Sequence, residues 1–461
     1  MKGDARMETY REDTMFRGDP DAVIRARDES DVREAMKACF ARAIPMTFCG
    51  SRTSMTGASI ATEGVEISTE RLEGILDVDE HNGQKVIVTR TGTITAAVQK
   101  AAEDSGFFFP VSPTSRDDCR IGAKVATNAT GEDSFKYGPL RAYVRRLKIW
   151  LANGTEKILE RSPSEKPSRE RNRAGFMLDW KNPIDLFVGS EGTLGFISEV
   201  TLDLIDHAPD YFSALAPFAN NRDALQFIVD TAQSAEFQPR ALELIDTAAL
   251  EIMKTHSTFP QPTAEAKALV YFKQEYRDDA DRDAWLEKWF AVLEKASTSR
   301  LAEHVMIATT AKERDDFRRW RHHIPSTVNE RARTFWDVGG GKVGSDWWVP
   351  IPKLLEMMNF FYDHADKLGL PSMAYAHAGS GHPHTNIICT NPSELKSAEA
   401  LLLTCCRKAV SLGGGVAGEH GIGKIHRNLL SIQHSPKAIA QMKKWKEEYD
   451  PRNLLGRGNI F

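Results

Sequence analysis

No run of about 18 apolar residues occurs in the chain, so a membrane-spanning helix is not expected. Residues 1–21 are polar and charged and lack the apolar centre of a secretory signal. Charge of neither sign dominates, with 60 Lys and Arg against 64 Asp and Glu and a formal net charge of −4. There is no basic stripe of the kind that grips nucleic acid and no acidic, disordered tail. Six cysteines (Cys39, Cys49, Cys119, Cys389, Cys405 and Cys406) are scattered without a Cys-x-x-Cys pair. That pattern weighs against iron–sulfur ligation and against a disulfide framework. No Gly-x-Gly-x-x-Gly opens a helix after a strand, so the nicotinamide fingerprint is missing. What remains is an ordinary globular composition, 41% hydrophobic and 27% charged, in 461 residues. At roughly 100–200 residues per domain, two or three domains fit. A cytoplasmic protein, at most peripheral to a membrane, is the default. The pair Trp347–Trp348 fits core packing better than membrane contact.

The first half alternates helix and strand patterns. Asp31 with Glu34 resembles a capping box, and Val32, Ala35, Met36, Cys39 and Phe40 recur at helical spacing. Residues 45–60, rich in Gly, Ser and Thr, predict a loop. Val86 and Val88 alternate as in a strand, and a helix is predicted from Thr95 with Gly106 beyond its end. Leu147, Ile149 and Leu151 alternate up to Asn153-Gly154, a hairpin turn signal, and Ile158 begins the return strand. Residues 161–173 are polar and basic with two prolines, and predict an exposed loop or lid. The Gly/Thr-rich character ends near Pro209, where a second domain begins. From Ser435 a helix pattern leads to Asp450-Pro451 and a short tail.

Three Gly-rich segments carry the first chemical signal: residues 49–59, residues 110–138, and Gly189-Ser190-Glu191-Gly192-Thr193-Leu194-Gly195. Small residues let backbone N–H groups approach phosphates, and successive N–H groups form an anion nest. Alone, the first segment could simply turn the chain; the second and third are more specific in combination. The second signal is His377-Ala378-Gly379-Ser380-Gly381-His382-Pro383-His384-Thr385-Asn386, with Gly418-Glu419-His420-Gly421 downstream. Two imidazoles and a carboxylate are a known ligand set for a catalytic divalent metal with one open position. Four-coordinate structural zinc and a surface histidine cluster are the rival readings.

Together these segments resemble, over nearly the whole chain, the FAD-linked oxidase family with the vanillyl-alcohol oxidase / p-cresol methylhydroxylase fold. The resemblance implies an α+β chain. A two-subdomain FAD-binding domain of the p-cresol methylhydroxylase type would span 1–209. An α+β substrate domain with an antiparallel sheet would span 210–434 and carry the metal site, and 435–461 would return to the FAD domain. By motif position, Gly50, Ser51, Arg52, Thr53, Ser54, Thr56 and Gly57 take the place of the loop around the FAD pyrophosphate. This copy is less Gly-rich than usual, and Arg52 either faces the pyrophosphate or points to solvent. Pro113, Thr114, Ser115, Gly122, Asn128 and Gly131 match the second flavin loop, and Glu191, Gly192, Gly195 and Ile197 the third. Some members tether flavin through a His or Cys in these loops. Here no His lies between His81 and His207, and Cys49 and Cys119 are the nearby thiols, so non-covalent FAD is expected.

The histidine segment resembles the His-Ala-Gly-Asp-Gly-Asn-x-His-x-Asn motif of the family's D-2-hydroxyacid dehydrogenases. That resemblance implies a divalent metal, zinc foremost, on His377, His384 and Glu419, with His420 as base and Asn386 facing the substrate. Ser380 stands where Asp is usual and His382 where Asn is usual; His382 is either an extra ligand or a changed substrate contact. Trp320-Arg321-His322-His323-Ile324-Pro325 resembles the segment that carries a substrate-binding Arg, which maps to Arg321. From the residues alone, Arg321 could equally be an exposed helical arginine. Lys342, ahead of Asp346-x-x-Val349-Pro350, is a second carboxylate candidate.

The expected activity is FAD-dependent oxidation of a D-2-hydroxy acid, D-lactate first, to the 2-oxo acid, with electrons passing to a protein or quinone acceptor. Glycolate or D-2-hydroxyglutarate are alternative substrates within that class. A direct oxidase, a flavin-binding electron-transfer subunit of an oxidase complex without turnover of its own, and, remotely, an alkyl-transfer synthase of the same fold are alternatives outside it. Relatives suggest a homodimer.

Overall fold

The computed structural model describes residues 5–461 except 14, 82, 208 and 298; the first four residues of the expected 1–209 domain lie outside the described residues. The chain forms two compact units. One comprises Met1–Gly131, Gly138–Ala208 and Ala417–Phe461, the other Glu132–Tyr137 and Pro209–Val416.

In the first unit, β1 (Ala22–Arg25), β2 (Met46–Cys49) and β3 (Val65–Ser68) form a parallel sheet in the order β1-β3-β2. Met36, Ile67, Trp150, Phe196 and Leu455 close its apolar side. A second, antiparallel sheet is built from β4 (Ile75–His81), β5 (Gln84–Arg90), β7 (Val144–Trp150), β8 (Glu156–Glu160) and β9 (Phe196–Asp203), in the order β4-β5-β9-β7-β8. Phe107–Phe108 (β6) and Ile205–Asp206 (β10) make a small ladder of their own. The expected strand at Val86, helix at Thr95–Asp104 and Asn153-Gly154 hairpin are all present.

In the second unit, β11 (Asp210–Phe218), β12 (Ala241–Ile245), β13 (Ala268–Tyr276), β14 (Met306–Ala308), β15 (Gly341–Ser345), β16 (Ser372–Ala376) and β17 (His384–Cys389) form one antiparallel sheet. Its order is β14-β11-β13-β12-β16-β17-β15. Side chains alternate faces along a strand, so the register assigns each residue to a side. Ile245 opposes Tyr375, Tyr375 opposes His384, Met373 and Gly344 both oppose Asn386, and Lys342 opposes Ile388. Glu243, Tyr375, His384, Asn386 and Lys342 therefore share one face. The other face presents Leu242, Leu244, Val270, Phe272, Ala374 and Ile387 to the larger apolar core, which also buries Trp347.

The helix Ala311–Arg333 lies on the polar face. A capping box of Thr310 and Glu313 starts it, and Pro325 sits inside it. Phe317, Trp320, Ile324 and Val328, at helical spacing, pack onto Leu215, Ile245, Tyr271 and Tyr375 of that face. Arg321 is carried inward with them. Asp246 pins the end of β12: it accepts hydrogen bonds from the N–H groups of Ala249 (2.9 Å) and Ala374 (2.6 Å) and from the Tyr362 hydroxyl (2.8 Å).

Four expectations are corrected. Residues 45–60 are not all loop, because Thr47 and Phe48 belong to β2 beside β3. The cap of the helix Glu29–Ala41 is Asp28, which accepts from the Asp31 N–H; Asp31 itself bonds Arg27. Residues 161–173 contain no helix or strand, but both ends are buried: Arg161 on Asp185 and Arg173 on the Asn128 carbonyl. The return to the first unit comes at Ala417, not 435, because residues 422–425 are hydrogen-bonded to Glu191 and Thr56.

Asp246→Ala would leave the buried Ala374 N–H and Tyr362 hydroxyl without acceptors. It should lower stability by about 3 kcal/mol, read as a drop in the urea unfolding midpoint.

Candidate active site

In the first unit the three Gly-rich loops are bonded to one another. The N–H groups of Gly189 and Glu191 donate to the carbonyls of Val125 (2.9 Å) and Ala126 (2.7 Å), which joins the second loop to the third. Ser51 Oγ donates to the Asp118 carbonyl (2.6 Å) and accepts from Arg120 Nε (3.0 Å), joining the first loop to the second. Close backbone approach explains two of the glycines. A Cβ at Gly122 would lie 1.7 Å from Thr91 Oγ1, and one at Gly131 would lie 2.3 Å from the Ser112 carbonyl oxygen. Asn128, in the left-handed conformation (φ 48°), ends the helix Ile121–Thr127, and its Oδ1 accepts from the Arg141 N–H.

Arg52 does not point to open solvent. Its guanidinium pairs with Glu70 (3.1 Å) and lies over the Tyr10 ring (4.4 Å). Ser54 and Thr56 bond each other, Gly57 N–H donates to Asp13, and Ile197 takes its place in β9 opposite Ile149. Thr53 is exposed, and Pro113, Thr114 and Ser115 lead into the turn before the second-loop helix.

Glu191 links the third loop to the segment that follows Glu419-His420. Its two oxygens accept the N–H groups of Ile422 (2.9 Å) and Gly423 (2.7 Å). Burial pushes this carboxyl up to about 7, against the pull of those N–H groups and of Lys424. His420 is held at φ 60°, a conformation that L-residues adopt at a cost. Thr130, between the matched residues Asn128 and Gly131, donates its hydroxyl to Glu419. Arg173 is also in this field: burial brings it down to about 9, opposed by the Glu419 charge. Gly192 (φ 71°) and Gly195 complete the third loop.

A test of whether these loops suit a dinucleotide lies in their polar atoms. Each carries a buried side-chain atom with no hydrogen-bonding partner in the protein: Ser59 Oγ, Asn128 Nδ2 and Ser190 Oγ. Buried polar groups are ordinarily paired. Three unpaired atoms, one on each loop, suit a ligand rich in phosphate and hydroxyl oxygens. Ser59 and Ser190 lie inside the quoted motifs but carry no signal of their own as contacts.

In the second unit the polar face gathers the predicted residues His377, His384, Asn386, Arg321 and Lys342. The ring centroids of His377 and His384 are 5.4 Å apart, and those of His382 and His384 are 4.9 Å apart. Each outer imidazole turns Nδ1 toward a carboxylate: His377 to Glu243 Oε1 at 2.9 Å, His384 to Asp346 Oδ1 at 3.2 Å. With Nδ1 carrying the proton, Nε2 carries the lone pair. This is the arrangement by which proteins orient metal-binding histidines. Asp346, His382 and His384 also place one donor atom each within 4.8 Å of one another, a spacing one divalent ion can bridge. The donor set thus suits a first-row divalent metal.

Arg321 is not an exposed arginine. Its Nη2 donates to Glu243 Oε1 at 2.8 Å and its Nε to Oε2, a forked pair. Lys342 is buried and donates to the neutral Asn329 side chain (2.7 Å). Burial brings its ammonium down to about 8, with Asp346 opposing. Asn386 interacts with Tyr375, whose hydroxyl burial pushes up. Sequence reading missed Glu243. Its signal was a charge inside Ala-Leu-Glu-Leu-Ile, a run in which every residue is buried.

Residues 211–460 match the model of FAD linked oxidases, C-terminal domain, and residues 20–160 match an FAD binding domain. The chain therefore belongs to the FAD-linked oxidases. It is 29% identical over 462 residues to the glycolate oxidase subunit GlcD of Bacillus subtilis (strain 168), covering 98% of this chain and 91% of that one. It is 29% identical over 439 residues to a D-lactate dehydrogenase of Archaeoglobus fulgidus, covering 95% and 90%. Among solved structures, a 4-ethylphenol oxidase from Gulosibacter chungangensis in its isoeugenol complex shares the fold at TM-score 0.68 and 15% identity, covering 97% and 90%. The fold expected from the sequence is borne out, and the family carries FAD on the N-terminal domain.

Gly131→Ala should force the second loop to shift, since its Cβ would meet backbone 2.3 Å away. The flavin-to-protein absorbance ratio after purification should fall to below about half the wild-type value. Gly83→Ala, with open space around its Cβ but a left-handed backbone (φ 74°), should cost some stability and yet leave that ratio unchanged.

Proposed function

We propose that the chain oxidises a D-2-hydroxy acid, D-lactate foremost, to the 2-oxo acid and passes the electrons to a non-nicotinamide acceptor. The observation that carries this reading is the paired orientation of His377 and His384, each with Nδ1 on a carboxylate, on a face that also presents Lys342 and Asn386. His377 and His384, with Glu419 as the third member by motif position, would hold a divalent metal, zinc foremost. Such an ion would acidify a hydroxyl bound to it. FAD, held by the three loops, would supply the hydride acceptor.

The protein's own part is positioning and proton handling. The Lys342 ammonium, buried against a neutral amide, seeks an anion and takes the substrate carboxylate. Asn386 orients the substrate beside it. His420 accepts the hydroxyl proton near neutral pH, the range in which imidazole titrates. Non-covalent FAD is supported by where the thiols lie: Cys119 contacts Thr95 Oγ1 (3.2 Å), and burial pushes Cys49 well up.

Likeness to a glycolate oxidase subunit favours a second reading, in which this chain is the flavin subunit of a complex acting on glycolate. D-2-Hydroxyglutarate would fit the first reading with a further cation for its second carboxylate. Among the described residues no helix is long and apolar enough to cross a membrane.

Anaerobic D-lactate should bleach the flavin of the purified holoenzyme without NAD, and a chelator should slow the bleaching. L-lactate should leave the flavin oxidised. No bleaching by any D-2-hydroxy acid or glycolate in zinc-loaded protein would overturn the reading, and turnover of glycolate only with a co-purifying partner would favour the second. With Lys342 near 8, its charge is present below pH 8 and is lost as pH rises through that value. The kcat/KM profile should therefore fall on its alkaline side near pH 8, and Lys342→Arg should move that limb above about pH 10.

A further inference from the structure

The centre of the polar face is a carboxylate that the reaction does not require for contact with substrate. Glu243 is 1% exposed and stands between Leu242 and Leu244 in a strand with every residue buried. Both oxygens are engaged. Oε1 accepts from His377 Nδ1 (2.9 Å) and Arg321 Nη2 (2.8 Å), and Oε2 accepts from Arg321 Nε.

We propose that Glu243 is a positioning residue for the metal ligand His377, and that Arg321 acts through Glu243 rather than on the substrate carboxylate. This rests on the metal reading above. Three features carry it. First, a neutral imidazole in water favours the Nε2–H tautomer, whereas the Glu243 contact requires Nδ1–H, so Glu243 selects the ring form whose lone pair is on Nε2. Second, Glu243 can stay ionised in an apolar strand only while a cation faces it, and Arg321, 7% exposed, is that cation. Third, the Arg321 charge is already matched by a forked ion pair to Glu243 and, more weakly, by Glu132, whereas Lys342 hydrogen-bonds a neutral amide and has only Asp346 as a nearby opposing charge. A substrate carboxylate therefore meets less competition at Lys342 than at Arg321.

The test uses FAD-loaded full-length protein depleted of zinc, with zinc affinity read by competition against a chromogenic chelator. Glu243→Gln and Arg321→Met should each weaken zinc binding by about 10- to 100-fold while flavin content stays at the wild-type level. Glu243→Asp should restore part of the loss. Should the single variants fail to fold, the double variant Glu243→Met with Arg321→Met removes both charges together and should show the same weakening. In zinc-free protein labelled with 15N-histidine, His377 should report as Nδ1–H in wild type and shift toward Nε2–H in Glu243→Gln. Zinc affinity within twofold of wild type in Glu243→Gln, or a wild-type His377 in the Nε2–H form, overturns the role of Glu243. A raised D-lactate KM with unchanged zinc affinity in Arg321→Met returns Arg321 to the substrate. Failure of the wild-type protein itself to bind zinc counts against the metal reading instead, and the tautomer measurement still decides the role of Glu243.

Discussion

A carboxylate taken out of water must be met by opposite charge or by N–H groups, and this constraint organises both units. In the second unit Glu243 is met by Arg321 and His377, which ties the long helix to the sheet and holds the His377 ring by its Nδ1. Asp246, three residues on, is met by two backbone N–H groups and a tyrosine. In the first unit Glu191 is met by the N–H groups of Ile422 and Gly423, and Asp185 by Arg141 and Arg161. Apart from the Asp246–Ala249 cap, each of these contacts joins segments well separated in sequence. The acids are thus tie-points as well as candidate site elements.

The parts of the site legible in the sequence are those whose chemistry is local. Glycine at 122 and 131 answers a clash with nearby backbone or side chain, and a run of such glycines is visible as a motif. His384 and Asn386 share a face because strand residues alternate, which any reader of the sequence can count. What was not legible depends on pairing at a distance. Glu243 is one of 64 acidic residues, and nothing in its neighbours names Arg321, 78 positions on, as its counter-ion. Likewise nothing next to Arg52 names Glu70 as its partner, since a whole strand, Val65–Ser68, lies between them in sequence. The return of the chain to the first unit at Ala417 rests on backbone N–H groups, which leave no compositional trace.

The division of labour between the units also explains why fold alone says little about chemistry here. A phenol-oxidising structure shares the architecture at 15% identity. Function resides in the side chains mounted on that frame. In this chain the sheet of the second unit offers a face on which cationic and imidazole groups sit among Tyr271, Tyr375 and Ile245, while its opposite face is mainly apolar, with the Ser345–Thr385 hydroxyl pair and Gln274 as its polar members. The low local polarity strengthens every charge interaction on the first face, that between Lys342 and Asp346 included.

The antiparallel ladder through β15, β17 and β16 has a consequence for how this chain can vary over time. Side chains repeat every two residues, so a one-residue insertion or deletion within β17 would turn His384 and Asn386 to the apolar side together. Length in this stretch is therefore held more tightly than composition, since a replacement alters one group whereas a frame change inverts the whole strand. Residues 254–267 carry no ladder, so a change of length there inverts no strand; its cost falls instead on the packing of Phe259 and Thr258 against Trp320 of the long helix.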